Sequence, residues 1–165
     1  MKKRILGTTL AFAMLSTAVA LADFSGDYAP DQWNFYTDST GTGTLTASEM
    51  YVTGIDDGTT GYTEYWIVAA SDGDISFSWE YLSDDTPGQD YAFYALNLSE
   101  VMLSDTGGDS GWITLPVQAG DTIELGVRSL TGTGGPGNLR VTNFVPEPST
   151  LALLGLGVVA LFRRR

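Results

Sequence analysis

From Ile75 to Leu82 the chain alternates strictly: Ile75, Phe77, Trp79 and Tyr81 on one parity, Ser76, Ser78, Glu80 and Leu82 on the other. A period of two over eight residues is the signature of a strand with one buried, aromatic face. Further strand-like runs follow the same logic: Gln32–Thr37, Thr44–Ile55, Thr63–Ala69, Tyr91–Leu98, Trp112–Val117, Thr122–Leu130 and Asn138–Phe144. Glycine- and aspartate-rich turn signals separate them, at Asp56-Asp57-Gly58, Asp72-Gly73-Asp74, Asp84–Gly88, Gly107–Gly111, Gly120-Asp121 and Gly132–Gly137. About eight short strands without a convincing amphipathic helix predict an all-β, two-sheet antiparallel β-sandwich. Within Asp90–Leu103 a helical turn around Ser99–Leu103 stays open.

The two ends of the chain read differently. Lys2-Lys3-Arg4, an apolar run from Ile5 to Leu15 and the small-residue site Ala20-Leu21-Ala22 form a signal-peptide pattern. It predicts a helix over residues 1–22 and a mature chain beginning at Asp23, with cleavage after Ala20 as the alternative. At the other end Pro146-Glu147-Pro148-Ser149-Thr150 precedes the uncharged run Leu151–Phe162, and Arg163-Arg164-Arg165 follows it. As a helix the apolar run reaches only roughly 18 Å, against a hydrocarbon core of about 30 Å. It is expected to be a short membrane helix, seated by Leu151, Leu154, Val158 and Leu161. The three arginines orient it with its C-terminus cytoplasmic. A marginal span suits a segment that is held briefly and then cut.

This tail closely resembles the PEP-CTERM sorting signal of Gram-negative bacteria: a Pro-Glu-Pro motif, a short hydrophobic helix and a terminal arginine cluster, in that order. The resemblance implies a partner, an exosortase, which is a multi-spanning membrane protease/transpeptidase with a catalytic cysteine. It implies export, transient anchoring in the cytoplasmic membrane, processing near Pro146-Glu147-Pro148, and delivery to the cell surface or to an exopolysaccharide, biofilm-type matrix. Two prolines favour an extended peptide that a protease cleft can hold. The expected organisation is a signal peptide at 1–22, a sandwich ectodomain at 23–145 and a sorting tail at 146–165.

The central region excludes much chemistry. The chain has no cysteine and no histidine, and residues 23–145 contain no lysine. Ser-His-Asp triads, thiolate nucleophiles, the usual zinc ligand sets and Schiff-base lysines are therefore ruled out there. Nineteen of the 20 acidic residues lie in 23–145 against only Arg128 and Arg140, a net −17. Such a surface repels phosphate backbones and excludes nucleic acid as a partner. Paired carboxylates remain, and Glu64, Glu80 and Glu124 lie within strand-like runs. Outward-facing strand positions explain them, so no catalytic residue is assigned.

No cofactor is expected, with calcium the one metal the loops can supply with oxygen ligands. Asp56, Asp57, Asp72 and Asp74 are the candidates. Asp84, Asp85, Asp105 and Asp109 also lie in turns, where aspartate is common because it bonds its own backbone. None fits EF-hand spacing. Carbohydrate binding is the alternative role, through exposed rings over sugar faces. Trp33 and Trp79 are expected in the core. Tyr62, Tyr65, Trp66, Tyr91 and Tyr94 stay open, because aromatics occupy both strand parities there. Arg128 and Arg140 are expected to pair with cross-strand carboxylates.

Phe24–Pro30 followed by Trp33, the Ile75–Tyr81 strand, and Ala119–Ile123 ahead of Arg128 are similar in pattern to jelly-roll or CUB-like sandwich modules of bacterial surface proteins. That resemblance implies an adhesive or structural role, at times with a calcium ion.

Overall fold

The computed structural model describes residues 24–148. The expected signal peptide with Ala20, Ala22 and Asp23, and the tail residues Leu151, Leu154, Val158, Leu161 and Arg163 to Arg165, lie outside the described residues. Among the described residues no helix is long and apolar enough to cross a membrane.

Two single 3₁₀ turns, Gly26–Tyr28 and Pro30–Gln32, lead into ten strands: β1 (Asn34–Thr37), β2 (Thr42–Leu45), β3 (Glu49–Thr53), β4 (Gly61–Val68), β5 (Gly73–Leu82), β6 (Asp90–Leu96), β7 (Ser99–Ser104), β8 (Ser110–Val117), β9 (Thr122–Ser129) and β10 (Asn138–Pro148). They form two five-stranded sheets, ordered β1-β4-β9-β6-β7 and β2-β3-β10-β5-β8. All pairings are antiparallel. The inner order β3-β10-β5-β8 facing β4-β9-β6-β7 is that of a jelly roll, with β1 and β2 added on one flank. The all-β sandwich expected from the alternation is therefore the fold.

One open reading is settled and one expectation needs correction. Ser99–Leu103 is not a helical turn but most of β7, which pairs with β6. Asn97 and Leu98 both take positive φ, 52° and 66°, and form the two-residue hairpin turn that joins them. Thr44–Ile55 is not one strand but the β2–β3 hairpin, in which Thr46 Oγ1 accepts from the Glu49 N–H at 3.1 Å and fixes the reversal.

The parity read from sequence holds through the core. Ile75, Phe77 and Tyr81 of β5 meet Ile123, Leu125 and Val127 of β9 between the sheets, all at most 1% exposed. Trp79 packs against this core part-buried. Burying a side chain of this size contributes roughly 1.5–3 kcal/mol. Trp33 is buried just ahead of β1, donating from Nε1 to the Tyr28 carbonyl at 3.1 Å.

A β-bulge closes one end of the core. Thr142 faces Ser78 and Val145 faces Ser76, so β10 carries one extra residue there. Asn143 takes φ 51° and donates from Nδ2 to Ser78 Oγ at 3.2 Å. Phe144 is thereby fully buried, stacked on Phe24 at 4.8 Å with Trp33 and Tyr28 beside it. Beyond the bulge β10 runs on to Pro148, past the boundary expected at 145, with β5 as its only partner among the described residues.

Candidate functional site

Two places carry the sequence-predicted residues: the end of β10 and the outer face of the β1-β4-β9-β6-β7 sheet. At the first, Pro146, Glu147 and Pro148 lie opposite Ile75, Asp74 and Gly73. The tripeptide is extended, as two prolines require. Strand alternation turns both missing N–H groups to the same side of the strand. Glu147 sits opposite Asp74, and like charges directly across a strand pair weaken the pairing.

At the second place, period-two geometry sends every other residue outward. Register aligns Tyr36 of β1, Glu64 of β4, Gly126 of β9, Phe93 of β6 and Met102 of β7 in one row across the sheet. Flanking rows hold Tyr62, Arg128 and Tyr91 on one side and Trp66, Glu124, Ala95 and Glu100 on the other. The open aromatics are thus resolved. Tyr62, Trp66 and Tyr91 face out, whereas Tyr65 and Tyr94 pack into the core.

Phe93 and Ala95 are each 1% exposed although they face outward. Tyr62 covers Phe93 edge-on, with ring centroids 5.7 Å apart. The Arg128 guanidinium lies over the Tyr62 ring at 4.9 Å. From Nη1 Arg128 donates to the Tyr91 hydroxyl at 3.1 Å, and Tyr91 donates to Glu100 Oε1 at 2.5 Å. Arg128 thus pairs with Glu100, at 3.8 Å, two strands away.

Gly126 creates room in the middle of the face. A Cβ there would stand 2.5 Å from the Thr63 carbonyl oxygen and 2.7 Å from Glu64 Cβ. Glu64 therefore lies close over β9, half-buried, and desolvation raises its pKa to about 7, with Glu124, Asp38 and Glu100 adding to the rise. Glu124 is raised as well, by desolvation and then by Glu100. Glu64 and Glu124 are diagonal neighbours on adjacent strands, about 7 Å apart in such a register. Two carboxyl groups at this kind of separation are the pairing that cleaves glycosides. That chemistry also needs a cleft. A depression on this side of the sheet is lined by Asp38, Thr60, Gly61, Tyr62, Arg128, Ser129 and Leu130, and neither glutamate is among its lining residues.

The remaining candidates are dispersed. Glu80 lies on the opposite sheet and pairs with Arg140 at 3.5 Å, while Glu49 holds the same arginine at 2.6 Å. Trp112 is exposed on that sheet, donating from Nε1 to Thr114 Oγ1. Asp57 accepts from Ser39 and Thr59, which lower its pKa to about 2. Asp72 accepts from the Ala119 N–H at 2.8 Å. Asp56 and Asp57 precede β4 and Asp72 and Asp74 follow it, so eight strand residues, about 26 Å, separate the two pairs. They do not form one site. Glu100 and Gly126 escaped sequence reasoning. The one available signal was the odd–even order of β6 and β9.

Residues 144–165 match the PEP-CTERM protein-sorting motif, so the tail of this chain carries that motif. No curated protein sequence matches the chain. Several solved structures are similar in architecture. A family 35 carbohydrate-binding module from Clostridium thermocellum is 18% identical, with a TM-score of 0.38 over 68% of this chain and 92% of that one. The secreted serine protease VesC from Vibrio cholerae is 11% identical, with a TM-score of 0.46 over 70% of this chain. The arabinose-bound α-L-arabinofuranosidase MgGH51 is 10% identical, with a TM-score of 0.44 over 76% of this chain. The chain spans about a quarter of the length of each of these two enzymes. These likenesses are faint, and strand order defines the fold.

Proposed function

We propose that this chain is an exported, non-catalytic surface or matrix protein whose tail is processed by an exosortase-like enzyme. The observation that carries this reading is the sorting-motif match over residues 144–165. The arginines and the apolar run hold the chain in the cytoplasmic membrane with Pro146-Glu147-Pro148 just outside. Because that tripeptide is paired to β5, residues 145–148 leave the sheet before an enzyme cleft takes them. The Glu147–Asp74 opposition makes this last segment the easiest part of β10 to release. The sandwich then reaches the cell surface or the exopolysaccharide matrix of a Gram-negative bacterium, in an adhesive or structural role. The combined Pro146→Ala, Glu147→Ala and Pro148→Ala variant tests this in the native host. Retention of the uncut variant in the membrane fraction is expected, and an unchanged distribution would overturn the reading.

A second reading concerns the ectodomain: it binds extracellular polysaccharide through the outer face of the β1-β4-β9-β6-β7 sheet. Tyr62, Trp66 and Tyr91 beside Glu64, Glu124 and Arg128 support it. Rings hold sugar faces and the charged groups hold hydroxyls. Binding to purified matrix polysaccharide should fall at least about tenfold in Trp66→Ala, without turnover in either protein. Equal binding by both proteins would exclude this face.

A further inference from the structure

On the outer face of the β2-β3-β10-β5-β8 sheet, opposite to Tyr62 and Trp66, Trp112 is 54% exposed. Among the described residues it is the one large apolar side chain so exposed on that face. The indole is nevertheless held in place. Its Nε1 donates to Thr114 Oγ1 at 3.1 Å, and Thr114 Oγ1 lies 2.7 Å from Ser76 Oγ. Register sets Trp112 beside Ser78 and, one strand further, Thr142. The next row holds Thr114, Ser76 and Val145. At the bulge, exposed Asn143 donates from Nδ2 to Ser78 Oγ at 3.2 Å. Hydroxyls and an amide thus surround a fixed ring, and none of these side chains is charged.

In a region of net −17 this patch is bounded by acids and not crossed by them. Asp74 and Glu147 lie in the row beyond Thr114 and Ser76, and Glu80 in the row on the other side. Glu49 shares the row of Trp112 but stands three strand spacings away, roughly 14 Å. Arg140, the one cation of this face among the described residues, is already held by Glu49 and Glu80. A uronate or sulfated chain would meet these acids without a free cation, whereas a neutral chain escapes the repulsion. A protein partner is a poorer match, because serine is depleted at the centre of protein interfaces. A second copy would bring the same acids face to face. Sugar rings, by contrast, offer C–H groups to an indole and hydroxyls to serine, threonine and asparagine. We infer that Trp112, with Ser76, Ser78, Thr114, Thr142 and Asn143, binds a neutral glycan chain. Trp112 stacks on one sugar ring, and the chain runs across β5 toward Thr142 and Asn143. The site lies on the sheet opposite to Tyr62, Trp66 and Tyr91, so it does not depend on the polysaccharide reading given for that face.

The test uses the full chain in detergent and the neutral fraction of the host's matrix polysaccharide, separated from the acidic fraction by anion exchange. Trp66→Ala serves as the background, so that the other face does not contribute. That chain should still bind the neutral fraction, with a saturable change in tryptophan emission. Adding Trp112→Ala should weaken binding at least about tenfold. It should leave the thermal midpoint unchanged, because the ring is exposed. Asn143→Gly keeps the positive φ of the bulge and should weaken binding by a smaller factor. Should Trp66→Ala not fold, wild type decides: the neutral fraction should protect Trp112 from oxidation by N-bromosuccinimide, read by peptide mass. Equal binding with and without Trp112, unprotected Trp112, or binding of the acidic fraction alone would overturn the inference. Binding by wild type but not by Trp66→Ala would overturn it too, while leaving the reading of the opposite face intact.

Discussion

Glu64→Gln should remove a pH dependence from folding stability. The folded pKa of Glu64 is raised from 4.5 to about 7 by burial against β9, with Glu124, Asp38 and Glu100 facing it and Arg128 already engaged by Glu100 and Tyr91. Between about pH 4.5 and 7 the folded chain therefore holds a proton that the unfolded chain has lost. Stability from this group falls as pH rises through that window and stays low above it. At about 1.36 kcal/mol per pKa unit, the upper bound is about 3.4 kcal/mol. Glu64 is only half-buried, and screening reduces this to about 1–2 kcal/mol. Urea unfolding of wild type and Glu64→Gln at pH 4.5, 5.5, 6.5 and 7.5 measures it. The stability of wild type relative to the variant should drop by about 1–2 kcal/mol across the series. A flat or rising difference would refute the desolvated position assigned to Glu64.

Three further outcomes follow from packing and charge. Gly126→Ala puts a methyl against the Thr63 carbonyl and Glu64 Cβ, so a loss of about 1–3 kcal/mol is expected in urea unfolding; an unchanged midpoint contradicts the close β4–β9 approach. Phe144→Ala removes the ring shared by Phe24, Tyr28 and Trp33, and should cost about 3–5 kcal/mol with loss of near-UV dichroism. Arg140→Ala should leave the thermal midpoint nearly unchanged, because both of its ion pairs are solvent-exposed; a large drop in the midpoint contradicts that exposure.

The alternation of β5 and β9 was legible because each has one apolar and one polar face, and the sandwich follows from that. The β2–β3 hairpin was not, because Thr46-Ala47-Ser48 contains none of the glycine, proline or asparagine that usually marks a reversal. The β6–β7 turn was hidden for a related reason. It places Leu98, 83% exposed, at positive φ where glycine is usual. Asn97 steadies it instead, bonding Asp121 at 2.8 Å and the Thr122 N–H at 2.9 Å. The outer face could not be read from β4 and β6 because both parities carry aromatics, and only register settles the matter. The raised pKa of Glu64 depends on Gly126, more than sixty residues away in sequence. The tail motif was fully legible, but its pairing with Gly73–Ile75, in a register shifted by the bulge at Asn143, was not.

The central claim is that the tail is a processed sorting signal. Intact mass of the protein from its native host, with and without the exosortase-like enzyme, tests it most directly. The expected result is a form outside the cell that begins near Asp23 and ends near Pro146-Glu147-Pro148, replaced by a membrane-held form with its tail when the enzyme is deleted. A chain that keeps its tail in the membrane whether or not the enzyme is present would contradict it.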